Sequence, residues 1–288
     1  GPNVEEYEVQ GMPNEEGVGC ESCHGPGSEY IRVMTEDIIT GLSRFTYLRV
    51  ISRSSTSRYA DHAHDVRAVG EALGARYVME GSVRQAGAAL RVAVQLVDAE
   101  SGANLWAETY NRPYSPETVF ELQDDLAPRI VSTVADMNGI LPHTMSEALR
   151  GRDPDGLTPY EALLLSFGYY ERLTAEDHAV ARAALEKAVL EAPDHADCWA
   201  LLSMLYAEEH KHGFNMKSDP LGRALEAARR AVAAAPSNNL AHHMLAQALF
   251  FRRELQAVRD AADRAVEVNP MDGCTTALMG ILMAYAVD

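Results

Sequence analysis

Two cysteines and a histidine at a short spacing are the residues of this sequence best suited to chemistry. They lie in the run Cys20-Glu21-Ser22-Cys23-His24. The two thiols of a Cys-x-x-Cys-His motif can add to the two vinyl groups of one porphyrin, and the adjacent histidine is then placed to ligate the iron. The motif therefore predicts a covalent attachment site for haem c.

The residues around this motif continue the pattern. From Val18 to Glu29 the chain reads Val-Gly-Cys-Glu-Ser-Cys-His-Gly-Pro-Gly-Ser-Glu, which resembles a haem-binding segment of multihaem cytochromes c. The resemblance implies that Cys20 and Cys23 are the thioether anchors and that His24 is the proximal ligand. A sixth iron ligand has to come from elsewhere in the chain. The candidates are Met12, Met34, His62 and His64.

Two other interpretations of the motif stay open. Zinc could be bound by Cys20, Cys23, His24 and a fourth ligand, although adjacent Cys and His ligands strain a tetrahedral site. The segment can also have a cytochrome origin and hold no cofactor, because residues 1–34 are too few to enclose a haem by themselves. We expect this segment to fold poorly alone.

The rest of the sequence contains no recognisable catalytic centre. The hydroxyl-rich stretch from Ser52 to Ser57 lacks the Gly-x-Ser-x-Gly context of a hydrolase nucleophile. A glycine-rich loop that could cradle a phosphate is absent, and the paired metal-binding carboxylates of a cyclase cannot be placed. Asp61, His62, His64 and Asp65 resemble a metal cluster on paper, but Asp65 is better placed to cap the next helix. We expect a chain that is not an enzyme.

Charge and hydropathy exclude two classes of partner. The net charge is −17 and no segment is basic, so binding to nucleic acid through phosphate contacts is not expected. No apolar run reaches the ~18 residues of a membrane span, and no signal peptide is visible. We expect a periplasmic location if haem c is attached. Otherwise the chain is expected to be cytoplasmic or the soluble part of a membrane-anchored protein.

A repeated run organises the C-terminal half of the chain. Lys187–Pro193, Arg230–Pro236 and Arg264–Pro270 share the pattern basic-Ala-Val-x-x-x-Pro. The last two prolines lie 34 residues apart, which is the period of the tetratricopeptide repeat, a helix-turn-helix unit. The first two lie 43 apart, and the surplus predicts a long turn from Glu208 to Pro220. Residues 150–288 are therefore predicted to form an all-α tetratricopeptide-repeat solenoid.

Solenoids of this kind mostly bind other chains on the concave surface between their first helices. His210 and His212 in the long turn, and His242 and His243 on a first helix, are the candidate contacts. We expect these four side chains to be exposed and the partner to be a protein or peptide segment, extended or helical.

The predicted solenoid lacks a polar cap at its C-terminal end. Leu278, Ile281 and Leu282 are expected to present an apolar surface that pairs with another chain, or with a second copy, or continues into a longer array. The sequence begins at Gly1-Pro2 and stops one helix into a further repeat. We therefore expect a fragment of a longer protein.

Residues 35–149 alternate between helical and strand patterns, which predicts a compact α/β (α+β) sandwich. Asp65 and Gly74 are expected to cap one of the helices. A Gln85–Ala88 hairpin is expected to join two of the strands. The strands are predicted at Leu48–Ser52, Tyr77–Val83, Leu90–Leu96 and Leu105–Tyr110, and the helices from Thr35, from Asp65 and from about Pro116 to Met137.

Four motifs in this part resemble the TolB-like domain of bacterial signalling proteins. They are Met34-Thr35-Glu36-Asp37-Ile38-Ile39, Tyr77-Val78-Met79-Glu80-Gly81-Ser82-Val83-Arg84, Gln95-Leu96-Val97-Asp98 and Leu105-Trp106-Ala107-Glu108-Thr109-Tyr110-Asn111-Arg112. The resemblance implies a TolB-like sandwich that precedes tetratricopeptide repeats and often follows a class III adenylate cyclase domain or a winged-helix transcription factor. The apolar strand that normally opens this domain is replaced by the cytochrome-like sequence. We therefore expect the sheet to be weakened near its N-terminal edge.

These patterns predict three domains: a cytochrome c-like segment at 1–34, a TolB-like domain at 35–149 and a solenoid at 150–288. The function that they favour is a non-enzymatic protein–protein interaction and sensory regulatory module of a bacterial signalling protein. One alternative is an electron-transfer protein with covalent haem at Cys20, Cys23 and His24. The other is a regulatory fragment of an adenylate cyclase.

Overall fold

The computed structural model describes residues 26–59, 64–113, 115 and 119–286. The chain divides into two compact units. The first contains Gly1–Leu42 and Arg49–Ala127, and the second contains Ser43–Leu48 and Pro128–Asp288. The described residues are mostly helical and include one small antiparallel sheet.

The first unit combines this sheet with helices. Asp65 accepts a hydrogen bond from Arg67 N–H at the start of α3, and Gly74 ends the helix in a left-handed conformation, so both predicted caps are confirmed. The elements are α1 (Pro26–Ser43), α2 (Arg53–Thr56), a 3₁₀ turn (Ser57–Tyr59), α3 (Val66–Leu73), β1 (Tyr77–Ala86), β2 (Ala89–Asp98), β3 (Ala103–Pro113) and α4 (Val119–Ala135), which continues into the second unit.

Burial alternates along β2, the central strand of the sheet. The strand order is β1-β2-β3, and both neighbouring pairs are antiparallel. In β2, the side chains of Leu90, Val92, Val94 and Leu96 share one face and are buried. Gly87 lies in the hairpin between β1 and β2 at φ 54°, a left-handed conformation that glycine adopts without steric cost. The predicted hairpin is therefore confirmed.

The predicted strand from Leu48 to Ser52 is wrong, because these residues belong to no strand in the structure. A strand persists only when a neighbour pairs with its backbone, and the sheet of the described residues is complete with β1, β2 and β3. Leu48 N–H instead donates to the Phe45 carbonyl at 2.9 Å, which closes a turn. The hydroxyl-rich stretch that follows forms α2 and the 3₁₀ turn.

Consecutive helices form the second unit, and the predicted helix pairs are confirmed as helices. Ala188, Ala231 and Ala265, the small residues of the repeated run, are buried at the contacts between helices. The elements are α5 (Ile140–Glu147), a 3₁₀ turn (Pro154–Gly156), α6 (Pro159–Phe167), α7 (Tyr169–Arg172), α8 (Ala175–Glu191), α9 (Ala196–His212), α10 (Pro220–Ala234), α11 (Asn239–Phe251), α12 (Leu255–Val268) and α13 (Gly273–Tyr285).

The predicted long turn is shorter than expected, because α9 extends to His212. Glu208 pairs with Lys211 at 3.3 Å and with His212 at 2.8 Å, one helical turn further on. Side chains three and four residues apart are neighbours on a helix surface, so these pairs stabilise an additional turn of helix. The connection to α10 is therefore limited to residues 213–219, and Gly213 ends α9 at φ 69°.

The division into units also differs from the predicted boundary between residues 149 and 150. The second half of α4 already belongs to the second unit, and its side chains Ile130, Val131 and Val134 are fully buried there. The helix α5, which the sequence analysis did not predict, follows before the charged stretch Arg150–Gly156. Among the described residues, no helix is long and apolar enough to cross a membrane.

Candidate functional site: the surface of the first helices

The first helices of successive pairs pack against one another in chain order: α6 against α9, α9 against α11, and α11 against α13. Each second helix packs against its own first helix. This arrangement gives one continuous surface to which every pair contributes a helix. We call it the first-helix surface.

Polar side chains at the N-terminal ends of these helices connect neighbouring helices. Asn238 caps α11, and its Nδ2 donates to Asp197 Oδ1 of α9 at 2.6 Å. Asn239 Nδ2 donates to Asp272 Oδ2 at 2.8 Å, and Asp272 in turn caps α13. All four residues are buried. We call Asp197, Asn238, Asn239 and Asp272 the cap row. Asx residues before an apolar helix predict a cap, but this signal does not reveal bonds between helices.

The cap row also binds the segment Ser43–Leu48. This segment forms a turn and lies long before the predicted domain boundary between residues 149 and 150. Thr46 Oγ1 donates to Asp197 Oδ1 at 2.8 Å and lies 3.4 Å from Asn238 Nδ2. On either side of Thr46, Phe45 is 5% exposed and Tyr47 is 8% exposed. The segment is therefore held by one hydroxyl and two buried rings.

Tyr47 is the most strongly held residue of this segment. Its Oη donates to the Ala135 carbonyl at 2.7 Å, and its own carbonyl accepts from Tyr160 Oη at 3.0 Å. The ring packs edge-on against Phe167 at 5.2 Å between centroids. Burial raises the pKa of Tyr47 well above its usual value, as do the nearby carboxylates of Asp136 and Asp272. The phenol therefore stays protonated and acts as a donor. A pocket beside it is lined by Phe45, Thr46, Tyr47, Ala135, Met137, Phe167, Asn239, Leu240 and Asp272.

A second polar cluster lies further along the first-helix surface and surrounds Tyr170. The pKa of this phenol is raised by burial and by Glu208 of α9, Cys274 of α13 and Tyr169, and Gln247 of α11 contacts its hydroxyl. Groups on three successive first helices thus influence the pKa of one tyrosine. Tyr169 Oη and Gln247 Oε1 are buried and have no hydrogen-bond partner among the described residues. Buried polar atoms of this kind are uncommon in folded proteins, and a ligand or a water molecule would satisfy them.

Glu209, next to Glu208, has a different role. It is completely buried, and its carboxylate accepts hydrogen bonds from Arg182 at 2.8 Å and from Arg223 at 2.5 Å. The backbone N–H of Lys217 donates to it at 3.0 Å. Arg182 also donates to the Asn215 carbonyl at 2.7 Å. These contacts fix the connection between α9 and α10, so we assign Glu209 to stability rather than to binding.

The four candidate histidines differ in exposure. His210 and His212 are exposed, as expected. The prediction that His242 and His243 are exposed is wrong, since both are buried. His242 Nε2 lies 2.9 Å from the Pro236 carbonyl, and His243 Nδ1 lies 3.0 Å from Thr275 Oγ1 of α13. Each ring therefore has a polar partner inside the helix array. Burial lowers the pKa of His243 to about 4, so this ring is neutral near pH 7.

The residues of the predicted haem site, Cys20, Cys23 and His24, lie outside the described residues, as do Met12 and His62. Met34, a candidate sixth ligand, is 4% exposed within α1, so its thioether would have to leave the core to reach a haem iron. His64 is exposed, and its ring packs edge-on against Tyr59 at 5.1 Å between centroids. In the described part of the chain, no group of three or more His, Cys, Asp or Glu side chains is arranged to hold a metal ion.

Comparison with known proteins gives two similarities. Residues 26–129 match the family model described as the second domain of HilA/YgeH-like transcriptional regulators. Over 229 residues the chain is 33% identical to a protein of Rhizobium meliloti (strain 1021) named "Putative adenylate cyclase 3". This alignment covers 79% of the chain and 38% of that protein. The chain is thus similar to a domain of bacterial transcriptional regulators and to somewhat more than a third of a protein named for adenylate cyclase.

Proposed function

We propose that this chain is the regulatory, protein-binding portion of a bacterial signalling protein associated with adenylate cyclase. In this proposal the first unit is a TolB-like domain, and the helix pairs of the second unit are tetratricopeptide repeats that bind a partner on the first-helix surface. Both similarities support a regulatory signalling role. The output domain and its activity would lie in another part of the protein or in a partner.

The observation that carries the proposal is that two buried polar atoms, Tyr169 Oη and Gln247 Oε1, lack a hydrogen-bond partner among the described residues, beside a phenol, Tyr170, whose pKa is raised by groups on successive first helices. Glu208 and Gln247 come from different helix pairs, so only a surface built by several repeats brings them together. Their environment is buried and polar, and it includes atoms without a hydrogen-bond partner among the described residues. A peptide that donates hydrogen bonds would satisfy these atoms and find a carboxylate beside them.

Peptide selection tests this proposal. We would select binders of the chain from a random peptide library and measure their affinity for the wild type and for Gln247→Lys, which places a cation in the Tyr170 cluster. The control is Arg229→Gln, which changes an exposed residue of the second helix α10. We expect Gln247→Lys to weaken binding at least tenfold and the control to leave it unchanged. Binders that respond only to the α10 variant would contradict the proposal.

The same proposal expects no catalysis by this chain. Incubation of the purified chain with ATP and Mg²⁺ should yield no cyclic AMP. Production of cyclic AMP above a heat-inactivated control would show that a catalytic centre has been overlooked. A regulatory fragment of an adenylate cyclase would instead change the rate of a separately supplied cyclase domain from the same protein, which the full-length gene would identify.

The Cys-x-x-Cys-His motif supports a second candidate function, electron transfer through a covalent haem c held by Cys20, Cys23 and His24. We would express the chain in a bacterial periplasm with haem c maturation and record a pyridine haemochrome spectrum. The control is the Cys20→Ser, Cys23→Ser variant. Absence of a haem absorbance band from the wild type would exclude the electron-transfer role. A loaded haem would also place the protein in the periplasm; otherwise we propose a cytoplasmic protein or the soluble part of a membrane-anchored one.

A further inference from the structure

The segment Ser43–Leu48 has an unusual place in the chain. It belongs to the second unit, whereas the residues before it, up to Leu42, and the residues after it, from Arg49, belong to the first. In sequence it is separated from its partner Asp197 by 151 residues. A six-residue segment that interrupts the first unit in sequence is therefore part of the second unit, where the cap row binds it.

The contacts of this segment are those of a bound peptide. Phe45 and Tyr47 are the buried anchors, and Thr46 between them is exposed although its hydroxyl donates to Asp197. The Leu48 N–H to Phe45 carbonyl bond holds the three side chains in a turn. Aromatic side chains in well-packed, desolvated sites contribute much of the binding energy of protein interfaces.

The cap row does not need the segment in order to be satisfied. Asp197 keeps its 2.6 Å bond from Asn238 Nδ2 when Thr46 is removed. Asn239 and Asp272 bond to each other at 2.8 Å and not to the segment. Release leaves the cap row paired, but it breaks the bond from Tyr47 to the Ala135 carbonyl and the bond from Tyr160 to Tyr47, and it exposes two aromatic rings. A second peptide with the same side chains would cover that surface again.

Charge limits what such a peptide can be. The carboxylates of Asp136 and Asp272 lie near enough to Tyr47 to raise its pKa, and Asp197 contacts Thr46 directly. The chain places Arg44 and Arg49 on the two sides of its own aromatic–hydroxyl–aromatic run. An acidic or phosphorylated residue at the position of Thr46 would face Asp197 and be repelled.

We propose that the segment Ser43–Leu48 is a releasable internal ligand of the cap row. The same site binds a partner peptide of the form aromatic–Ser/Thr–aromatic with basic flanking residues. This inference rests on the proposed function and locates one binding site within it. While the internal segment is bound, the partner has to compete with it, so release of the segment activates binding.

The test uses a fluorescent peptide with the sequence Ser-Arg-Phe-Thr-Tyr-Leu-Arg and the full chain. Fluorescence anisotropy measures its affinity for the wild type, for Thr46→Asp, which repels Asp197, and for the matched control Thr46→Ser, which keeps the hydroxyl. We expect Thr46→Asp to bind the peptide at least tenfold more tightly than the wild type and Thr46→Ser to resemble the wild type. Peptides with both aromatic residues replaced by alanine, or with phosphothreonine, should not bind.

Equal, weak binding of the native and the alanine-substituted peptide by a folded Thr46→Asp variant would overturn the inference. If that variant fails to fold, hydrogen exchange of the wild type decides: excess native peptide should accelerate exchange at Leu48 N–H at least tenfold, and no acceleration would overturn the inference. Peptides selected against the Tyr170 cluster supply the distinction from the proposed function. If they bind and the Ser43–Leu48 peptide does not, the interaction module stands and the internal ligand is rejected.

Discussion

Replacement of Glu209 by glutamine is predicted to destabilise the second unit substantially. The carboxylate is fully buried and faces two guanidinium groups, those of Arg182 at 2.8 Å and Arg223 at 2.5 Å. Glutamine keeps the size of the side chain but removes its charge, so Arg182, which is 11% exposed, keeps only the more distant carboxylate of Glu186 at 3.9 Å. Removal of one partner from a buried ion pair costs about 3–5 kcal/mol.

We expect the low end of this range for Glu209→Gln. Arg223 keeps 25% of its side-chain exposure and can be rehydrated, and the amide oxygen of glutamine still accepts one hydrogen bond. A loss of about 3 kcal/mol in a unit of this size lowers Tm by about 6–12 °C. Thermal and urea unfolding followed by circular dichroism would measure it. The control is Glu226→Gln, which removes the charge of a side chain that is 64% exposed and pairs with Arg230; its effect on the free energy of unfolding should stay within about 0.5 kcal/mol.

The pH dependence of the stability difference between wild type and Glu209→Gln provides a second check. Burial alone would raise the pKa of Glu209, but the hydrogen bonds from Arg223, Lys217 N–H and Arg182 lower it below its usual value. The carboxylate therefore contributes stability above its unfolded pKa of about 4.3, and this contribution is lost as the pH falls through the folded pKa. The difference in free energy of unfolding between wild type and Glu209→Gln should therefore narrow as the pH falls below the unfolded pKa of Glu209. A gap of less than about 0.5 kcal/mol at pH 7 would refute the assignment of Glu209 to stability.

Three further predictions concern other parts of the chain. Burial lowers the pKa of His243 to about 4, so on acidification the imidazole is protonated in the unfolded chain before it is protonated in the folded one. The free energy of unfolding should therefore fall by up to about 3 kcal/mol as the pH drops from about 6.5 to about 4. The His243→Gln variant should lose less stability over the same pH range. Gly70→Ala would place Cβ 2.4 Å from Ala99 Cβ, so it should cost about 1–3 kcal/mol in urea unfolding, whereas Gly81→Ala in β1 should be nearly neutral. Ile281 on α13 is 51% exposed, and Ile281→Lys should weaken any concentration-dependent self-association in sedimentation experiments; equal sedimentation of both proteins would count against that surface.

Local signals were sufficient to predict most of the elements. Asp65 and Gly74 mark both ends of α3 because caps act on backbone groups within a few residues. The alternation in β2 predicts its buried face because side chains of a strand point in turn to opposite faces. The repeated prolines predict where the helix pairs end. Each of these signals depends on residues that are close in sequence.

The features that the sequence analysis missed depend on distant residues. The bond from Thr46 to Asp197 spans 151 positions, and nothing in the run Phe45-Thr46-Tyr47 shows that its partner is a helix so distant in sequence. His243 was expected to be exposed because it lies on a first helix, but a neutral imidazole is buried readily when Thr275 supplies a partner. The candidate haem residues at Cys20, Cys23 and His24 stay a prediction.

The electrostatics of the cap row connect the internal ligand to the composition of the whole chain. In the described part of the chain, Asp197 and Asp272 are satisfied by amide, hydroxyl and backbone donors. Neutral donors orient a carboxylate without cancelling its charge, so the site keeps a negative potential, and Asp136 adds to it. In a chain with a net charge of −17, this potential repels anionic partners and attracts a peptide with residues such as Arg44 and Arg49. Affinity for that peptide should therefore fall as the salt concentration is raised from about 0.05 to 0.5 M, because the added salt shortens the Debye length to a few ångströms and screens the attraction. A salt-independent affinity would mean that the two aromatic anchors alone hold the ligand.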